Sequence, residues 1–426
     1  MVLPAVSNSD HSGRSIRKRK MKKTIYIALI LSLAVSCLEL RESDPYKGSL
    51  NRFTVVTEWP EGDFDREGVD IRVENINLPA EYASVTDAQG KAEFDLPDGL
   101  YRININGRSG KNILNGASDR VAVSGGDVTL KVPVNVSRPG SIVFKEIYCG
   151  GCKRLPLEGD YQTDKYVILH NNDYQVQYLD GLCFGTLSPY NAIANNPWVS
   201  NDPVTGGTVF PDFIPVIQAV WKFPGDGDDF PLQPGEDAVL VVNGAINHAA
   251  QYPLSVDLNR PDCFVCYNAT SFNNTSYHPV PGDKVSMDRY MKLVVKTGIS
   301  NAFIISNNSP AVIIFRPEGT TIEEHVLAAG AIVQVPGSKV DNVVKIPQDW
   351  VVDAVEVFDG RSSTNSKRLS PAMDAGYVTL SDSFQGHTLM RDTDDEATEL
   401  AGYEILKDTN NSLNDFYERQ IQSLHE

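Results

Sequence analysis

From Lys91 to Ile105 the chain reads KAEFDLPDGLYRINI, and its apolar residues fall on every second position: Ala92, Phe94, Leu96, then Tyr101, Ile103, Ile105. Extended backbone sends successive side chains to opposite faces, so this spacing puts all six on one side of paired strands. Pro97-Asp98-Gly99 interrupts the alternation as a turn. Asp87-Ala88-Gln89-Gly90 reads as a second turn, with Gly90 free to take positive φ. Before it, VDIRVENI (Val69 to Ile76) alternates as well. Gly, Pro, Asn and Asp punctuate short β-branched and aromatic runs along the rest of the chain, which predicts an all-β fold. Only the C-terminus and a leader stretch look helical.

The same grammar divides the chain. NVSRPG, Asn135 to Gly140, reads as a boundary, since Pro and Gly stop a strand there. It separates a module over residues 51–137 from a region over 141–426. That region opens with the strand SIVFKEIYCGGC, followed by DKYVILHNND, YLDGLCFG and LQPGEDAVLVVNGAINHA. WVVDAVEVFDG supplies a late strand, and DTNNSLNDF, ending at Phe416, reads as a polar turn leading into a terminal clasp. With 286 residues the region exceeds one small sandwich. Asn191 to Pro211 and Gln251 to Met287, rich in Asn, Pro, Ser and Gly, read as long loop inserts.

At the N-terminus, RKRKMKKTIYIALILSLAVS places a basic cluster before an apolar run, Ile25 to Val35, of signal-peptide length. That run is too short for a stable membrane span. Ala34-Val35-Ser36-Cys37 resembles a bacterial lipobox, which implies a signal peptide over 1–36 and lipid attachment at Cys37. Residues 37–50 would be a lipidated tether. Its Glu39, Glu42 and Asp44 resemble the acidic export signals of Bacteroidetes surface lipoproteins, which favours the cell surface over a periplasm-facing outer-membrane anchor. Met1 to Lys20 is polar and lacks order signals, which makes Met21 an alternative initiator.

The formal net charge of the whole chain is −17. Removing residues 1–36, with seven Lys/Arg and one Asp, leaves −23 on the mature chain. Such acidity disfavours nucleic acid or anionic lipid as a partner, and no basic nucleic-acid footprint is present.

Five cysteines remain beyond Cys37. Cys149-Gly-Gly-Cys152 and Cys263-Phe-Val-Cys266 are CxxC pairs, while Cys183 has apolar neighbours and reads as a core thiol. The four paired cysteines allow two chemistries. An oxidising envelope favours disulfides, whereas four thiolates could hold a tetrahedral zinc ion. Disulfides weigh more, because compact zinc ribbons separate their pairs by only ~15–20 residues. No βαβ context supports a redox motif, and no CxxC precedes a His as c-type haem attachment requires. His170 and His248 could join a metal, iron or haem site, although such histidines are more often ordinary hydrogen-bonded residues. Asp226, Asp228 and Asp229 sit in a Pro-Gly loop without EF-hand spacing, so a solvated loop outweighs Ca²⁺ binding. RDTDDEATE, Arg391 to Glu399, reads as a charged loop. No GxSxG, HExxH, P-loop or GxGxxG pattern occurs, and no catalytic residue is assigned. Tyr190, Trp198 and Trp221 would suit ligand stacking if exposed, but core packing is their commoner use.

Thr86, Asp87, Gly90, Phe94, Leu96, Pro97, Gly99 and Tyr101 resemble the carboxypeptidase regulatory-like domain, a transthyretin-like or Ig-like β-sandwich. Phe144, Glu146, Ile147, Tyr166 to Leu169, Asn171, Leu179, Gly181, Pro234, Gly235 and Val239 to Val241 resemble the lamin-tail domain, an Ig-like sandwich. With the lipobox, the arrangement resembles a family of Bacteroidetes lipoproteins known as a domain of unknown function. The resemblance implies two β-sandwich modules, the first a spacer and the second elaborated by long loops. It further implies a non-enzymatic, outer-membrane-anchored ligand-binding or docking accessory, possible partner to a TonB-dependent nutrient transporter. The alternatives are a metal or iron-compound binder using the CxxC pairs and a structural envelope protein.

Overall fold

In the computed structural model, residues 50–109, 112–137, 139–203 and 207–425 are described. The leader and Cys37 lie outside them. The chain is all-β, with three short α-helices and two 3₁₀ turns among the described residues.

Asn51–Glu58 lies between Lys91–Leu96 and Val128–Pro133 in a three-stranded sheet. The facing sheet has five strands, in the order Glu81–Val85, Asp70–Asn75, Gly99–Ser109, Asn112–Val123 and Asn135–Ser137. Burial follows the alternation read from the sequence: Ala92, Phe94 and Leu96 are buried while Lys91, Glu93 and Asp95 are exposed. These side chains meet Tyr101, Ile103 and Ile105 in one core, with Phe53 and Val55. Gly90 adopts φ +74°. A Cβ there would lie 2.4 Å from Thr57 Oγ1, so both conformation and space demand glycine.

Two larger sheets build the remainder. One orders Phe264–Val265, Asp237–Val241, Tyr166–Asn171, Ile142–Tyr148, Thr388–Arg391 and Phe416–Arg419. The other orders Ile332–Gln334, Asn342–Pro347, Phe213–Lys222, Cys183–Leu187, Ala311–Phe315, Val351–Asp359 and Val378–Leu380, with Lys292–Lys296 also paired to Phe213–Lys222. Between them lies a core that includes Phe144, Val167, Phe184, Trp221, Ile314 and Val357.

The unusual length of this region goes into covering both outer faces of the sandwich. Outside the six-stranded sheet, Tyr148, Tyr166, Ile168 and Val241 pack against Val256, Leu258, Cys263 and Val285. The 251–287 insert, expected as a loop, is therefore a lid on a hydrophobic face. Outside the other sheet, Val216, Val220, Ile313 and Val344 pack against Ile322, Trp350 and Leu369. Strands buried on both faces lose alternation: Tyr166–Asn171, Cys183–Leu187 and Ala311–Phe315 are buried at every position. Their near-continuous apolar runs have this cause.

One local expectation changes. Asp395–Ala401 is a helix rather than a charged loop, because Asp394 caps it by accepting from Ala397 N at 3.0 Å and Gly402 closes it in the left-handed region. The first module packs directly on the second. Asn51–Glu426 forms one compact unit. Arg102 Nη1 donates to Tyr377 Oη at 2.7 Å, Asn410 Nδ2 donates to Ser137 Oγ at 2.6 Å, and Arg108 pairs with Asp394 at 3.5 Å.

Candidate functional site

Where the two modules meet, the five-stranded sheet turns its polar face toward the second module. Arg102, Asn104, Asn106 and Arg108 alternate with the core residues of the same strand. A cleft of about 570 Å³ opens at one end of this contact. One wall is Leu100, Arg102 and the segment Ala117 to Arg120. The opposite wall combines Asn195, Asn201, Thr208 and Phe210 from the 191–211 insert with Phe358, Asn365 to Lys367, and Tyr377.

A β-bulge shapes the first wall. Tyr101 pairs with Val121 and Ile103 with Ser118, so Asp119 and Arg120 together oppose Arg102. Bulges bend a strand and re-aim side chains. Arg120 takes φ +59°, a left-handed backbone that non-glycine residues adopt at a cost. Its side chain is exposed and makes no hydrogen bond or ion pair among the described residues. Arg102, by contrast, is fully engaged: Nε donates to Asp119 at 2.8 Å and Nη1 lies 3.2 Å from Glu74. Those carboxylates and Tyr377 raise its already high pKa despite burial.

Buried charge holds the second wall in place. Glu356, at the centre of strand Val351–Asp359, accepts from the backbone N–H of Arg368 and Leu369 at 2.8 and 2.9 Å. Arg368 Nε and Nη2 return to Glu356 Oε1 at 2.8 and 2.6 Å, with both side chains fully buried. Arg368 also donates to the carbonyls of Ser309 and Val357. The next residue upstream, Lys367, donates to the carbonyls of Asp374 and Gly376 and lines the cleft. Tyr377 stacks on Phe358 with centroids 3.9 Å apart. The cleft thus holds three cations, Arg102, Arg120 and Lys367, against one carboxylate, Asp119, in a strongly acidic chain.

The residues singled out from the sequence lie elsewhere. All five described cysteines are free and buried. Neither CxxC pair is closed: Cys263 and Cys266 flank strand Phe264–Val265, where residues three apart point to opposite faces, and Cys149 and Cys152 are parted by a glycine turn. Cys266 joins the central core and Cys263 the outer one. Cys149 likewise joins the central core, while Cys152 Sγ faces Asp164 Oδ2 at 3.7 Å. Gly151 makes this turn at φ +73°, where a Cβ would meet Tyr161 O at 2.1 Å. Burial pushes the thiols of Cys149, Cys152, Cys183 and Cys263 up to about 12. Among the described residues no group of three or more His, Cys, Asp or Glu is arranged to hold a metal ion. The zinc expectation therefore finds no gathered ligand set there.

His170 is held by Asp237 Oδ1 at 2.6 Å and the carbonyl of Glu404 at 3.0 Å. His248 is held between Tyr161 Oη and the carbonyl of Gly244, and burial lowers its pKa. The Asp226 to Asp229 loop wraps its backbone around another acid: Gly227, Asp229 and Phe230 N–H groups all donate to Asp180, whose pKa they lower. Trp221 is fully buried, and Trp198 packs edge-on against Phe213. Tyr190 is half-buried, and burial raises its pKa. The cleft aromatics Phe210, Phe358 and Tyr377 were not among the expected residues, although Phe210 closes the insert that sequence composition marked.

Residues 233–423 match a family described as Protein of unknown function (DUF4876). Among solved structures, the chain is similar to a DUF4876 family protein from Bacteroides thetaiotaomicron, at 26% identity and a TM-score of 0.55, over 87% of this chain and 95% of that one. Slighter likenesses are to the Bacillus anthracis TIE protein and to the minor pilin GBS52 of Streptococcus agalactiae. The first has 13% identity and a TM-score of 0.17, over 44% of this chain and 32% of that one. The second has 14% identity and a TM-score of 0.15, over 42% and 84%. Both are too slight to bear on this chain. No curated protein matches. At 87% of this chain, the likeness to the Bacteroides protein extends into both modules.

Proposed function

We propose that this chain is a non-enzymatic binding lipoprotein of the outer membrane, anchored through Cys37, whose ligand lies in the cleft between its two β-modules. The first module, in this reading a regulatory-like sandwich, supplies one wall. The second, a lamin-tail-like sandwich, supplies the other and keeps its remaining loops for docking, with a TonB-dependent transporter as the partner class. One observation carries the reading: a cleft of about 570 Å³ is walled by both modules and combines aromatic rings, amides, hydroxyls and Arg120, which has no ion-pair partner among the described residues. Ligand sites favour such concave surfaces with few convergent polar groups.

The test uses the full chain in mild detergent, migrated through gels containing a panel of polysaccharides. Phe210→Ala removes a cleft ring that belongs to none of the hydrophobic cores. At least one polysaccharide should retard the parent and not the variant. Equal retardation of both, or no retardation across the panel, would overturn the cleft assignment. Anchoring is tested separately: a clickable fatty acid should label the full chain and not Cys37→Ser.

A further inference from the structure

The bulge gives the cleft a chemical preference, and the argument rests on the binding reading above. A strand that needed only to pair would not place arginine in the left-handed region, where glycine is free and L-residues are strained. Strain of this kind clusters at functional sites. At Arg120 the strained backbone carries the one cleft cation with no carboxylate or carbonyl partner among the described residues. Lys367, on the second wall, donates to the carbonyls of Asp374 and Gly376, and its charge also acts on the buried Asp374 carboxylate. Two basic side chains, one from each module, thus line a space that also holds Phe210 and the amides of Asn195 and Asn201. Aromatic faces take the apolar side of a sugar ring, amides take its hydroxyls, and a guanidinium takes an oxyanion through two parallel hydrogen bonds.

We propose that the cleft binds an acidic saccharide, with Arg120 receiving its carboxylate or sulfate and Phe210 receiving the adjoining ring. Arg102 is a positioning residue. Its bonds to Asp119 and Tyr377 fix the bulge against the second wall.

Trigalacturonate, its fully methyl-esterified form, and a sulfated galactan trisaccharide are titrated calorimetrically into the full chain, Arg120→Gln, Arg120→Gly and Phe210→Ala. At least one acidic trisaccharide should bind the parent, the neutral ester at least tenfold more weakly. Both Arg120 variants should lose at least tenfold for the acid and change less than twofold for the ester. Arg120→Gly relieves the backbone, so its loss cannot come from misfolding. Carboxylate and sulfate arms identify the anion, and either supports the class. Equal binding of acid and ester, unaffected at Arg120 but lost in Phe210→Ala, overturns the acidic class and leaves the cleft as binding site. Binding unaffected by Phe210→Ala overturns the cleft itself. Failure of both acids to bind at millimolar concentration overturns the acidic class.

Discussion

At the residue scale, Arg120 sets binding against stability. A left-handed L-residue costs about 1–2 kcal/mol relative to glycine. Arg120→Gly should therefore raise unfolding free energy by ~1 kcal/mol in urea melts, even as anion binding falls. No gain in stability would mean that other contacts compensate the strain.

A second residue-scale prediction concerns Arg391. It is buried with Asp353 at 2.6 Å, Asp408 at 3.5 Å and Asp415 at 3.6 Å. Three carboxylates around one guanidinium leave excess negative charge away from water, and desolvation raises Asp353 and Asp415 to about 7. Both folded values lie above the unfolded value, so the folded state holds protons that the unfolded state releases. Stability from these groups is present at low pH and falls as pH rises from about 4 to 7. Urea melts at pH 5, 6, 7 and 8 should show that decline, flattened in Asp415→Asn. A rise across the same window in the parent would contradict it. The thiols give a third prediction: in the soluble form lacking residues 1–37, Ellman's reagent at pH 8 should find almost none in the native protein and five per chain in guanidinium, from Cys149, Cys152, Cys183, Cys263 and Cys266. A single thiol after denaturation would restore two disulfides.

At the element scale, what the sequence made legible depended on how many faces a strand buries. Alternation in Lys91–Leu96 and Gly99–Ser109 survives because one face of each is polar. In Ala311–Phe315 both faces are buried, so the run AVIIF shows a strand but not its partners. The CxxC spacing suggested paired sulfurs because spacing alone does not show that Cys263 to Cys266 runs through a strand. The cleft loop illustrates a cost invisible in sequence. Glu356 and Arg368 are twelve residues apart, yet their buried pair fixes the segment that presents Lys367. Breaking such a pair leaves one charge buried and costs ~3–5 kcal/mol. Arg368→Ala should lose about that much in urea melts and detach the 365–377 segment, seen as faster amide exchange there. A loss below 1 kcal/mol would show that the pair does not hold this wall.

At the scale of the whole molecule, the all-β class and the likeness to a Bacteroidetes domain of unknown function follow from local patterns. The cleft does not. Its described walls come from Leu100, Arg102 and Ala117 to Arg120, from residues 195–201 and 207–210, and from residues 358–377, brought together by the packing of two modules. Its key backbone feature carries no signal, since arginine stands where glycine would have announced a left-handed turn. The central claim is that both modules together make the binding surface. Hydrogen exchange of the full chain, with and without saturating trigalacturonate, tests it most directly. The account predicts slowed exchange on all three parts of the wall, at residues 117–120, 207–210 and 365–377. Protection confined to one module, or to the 251–287 insert, would contradict it.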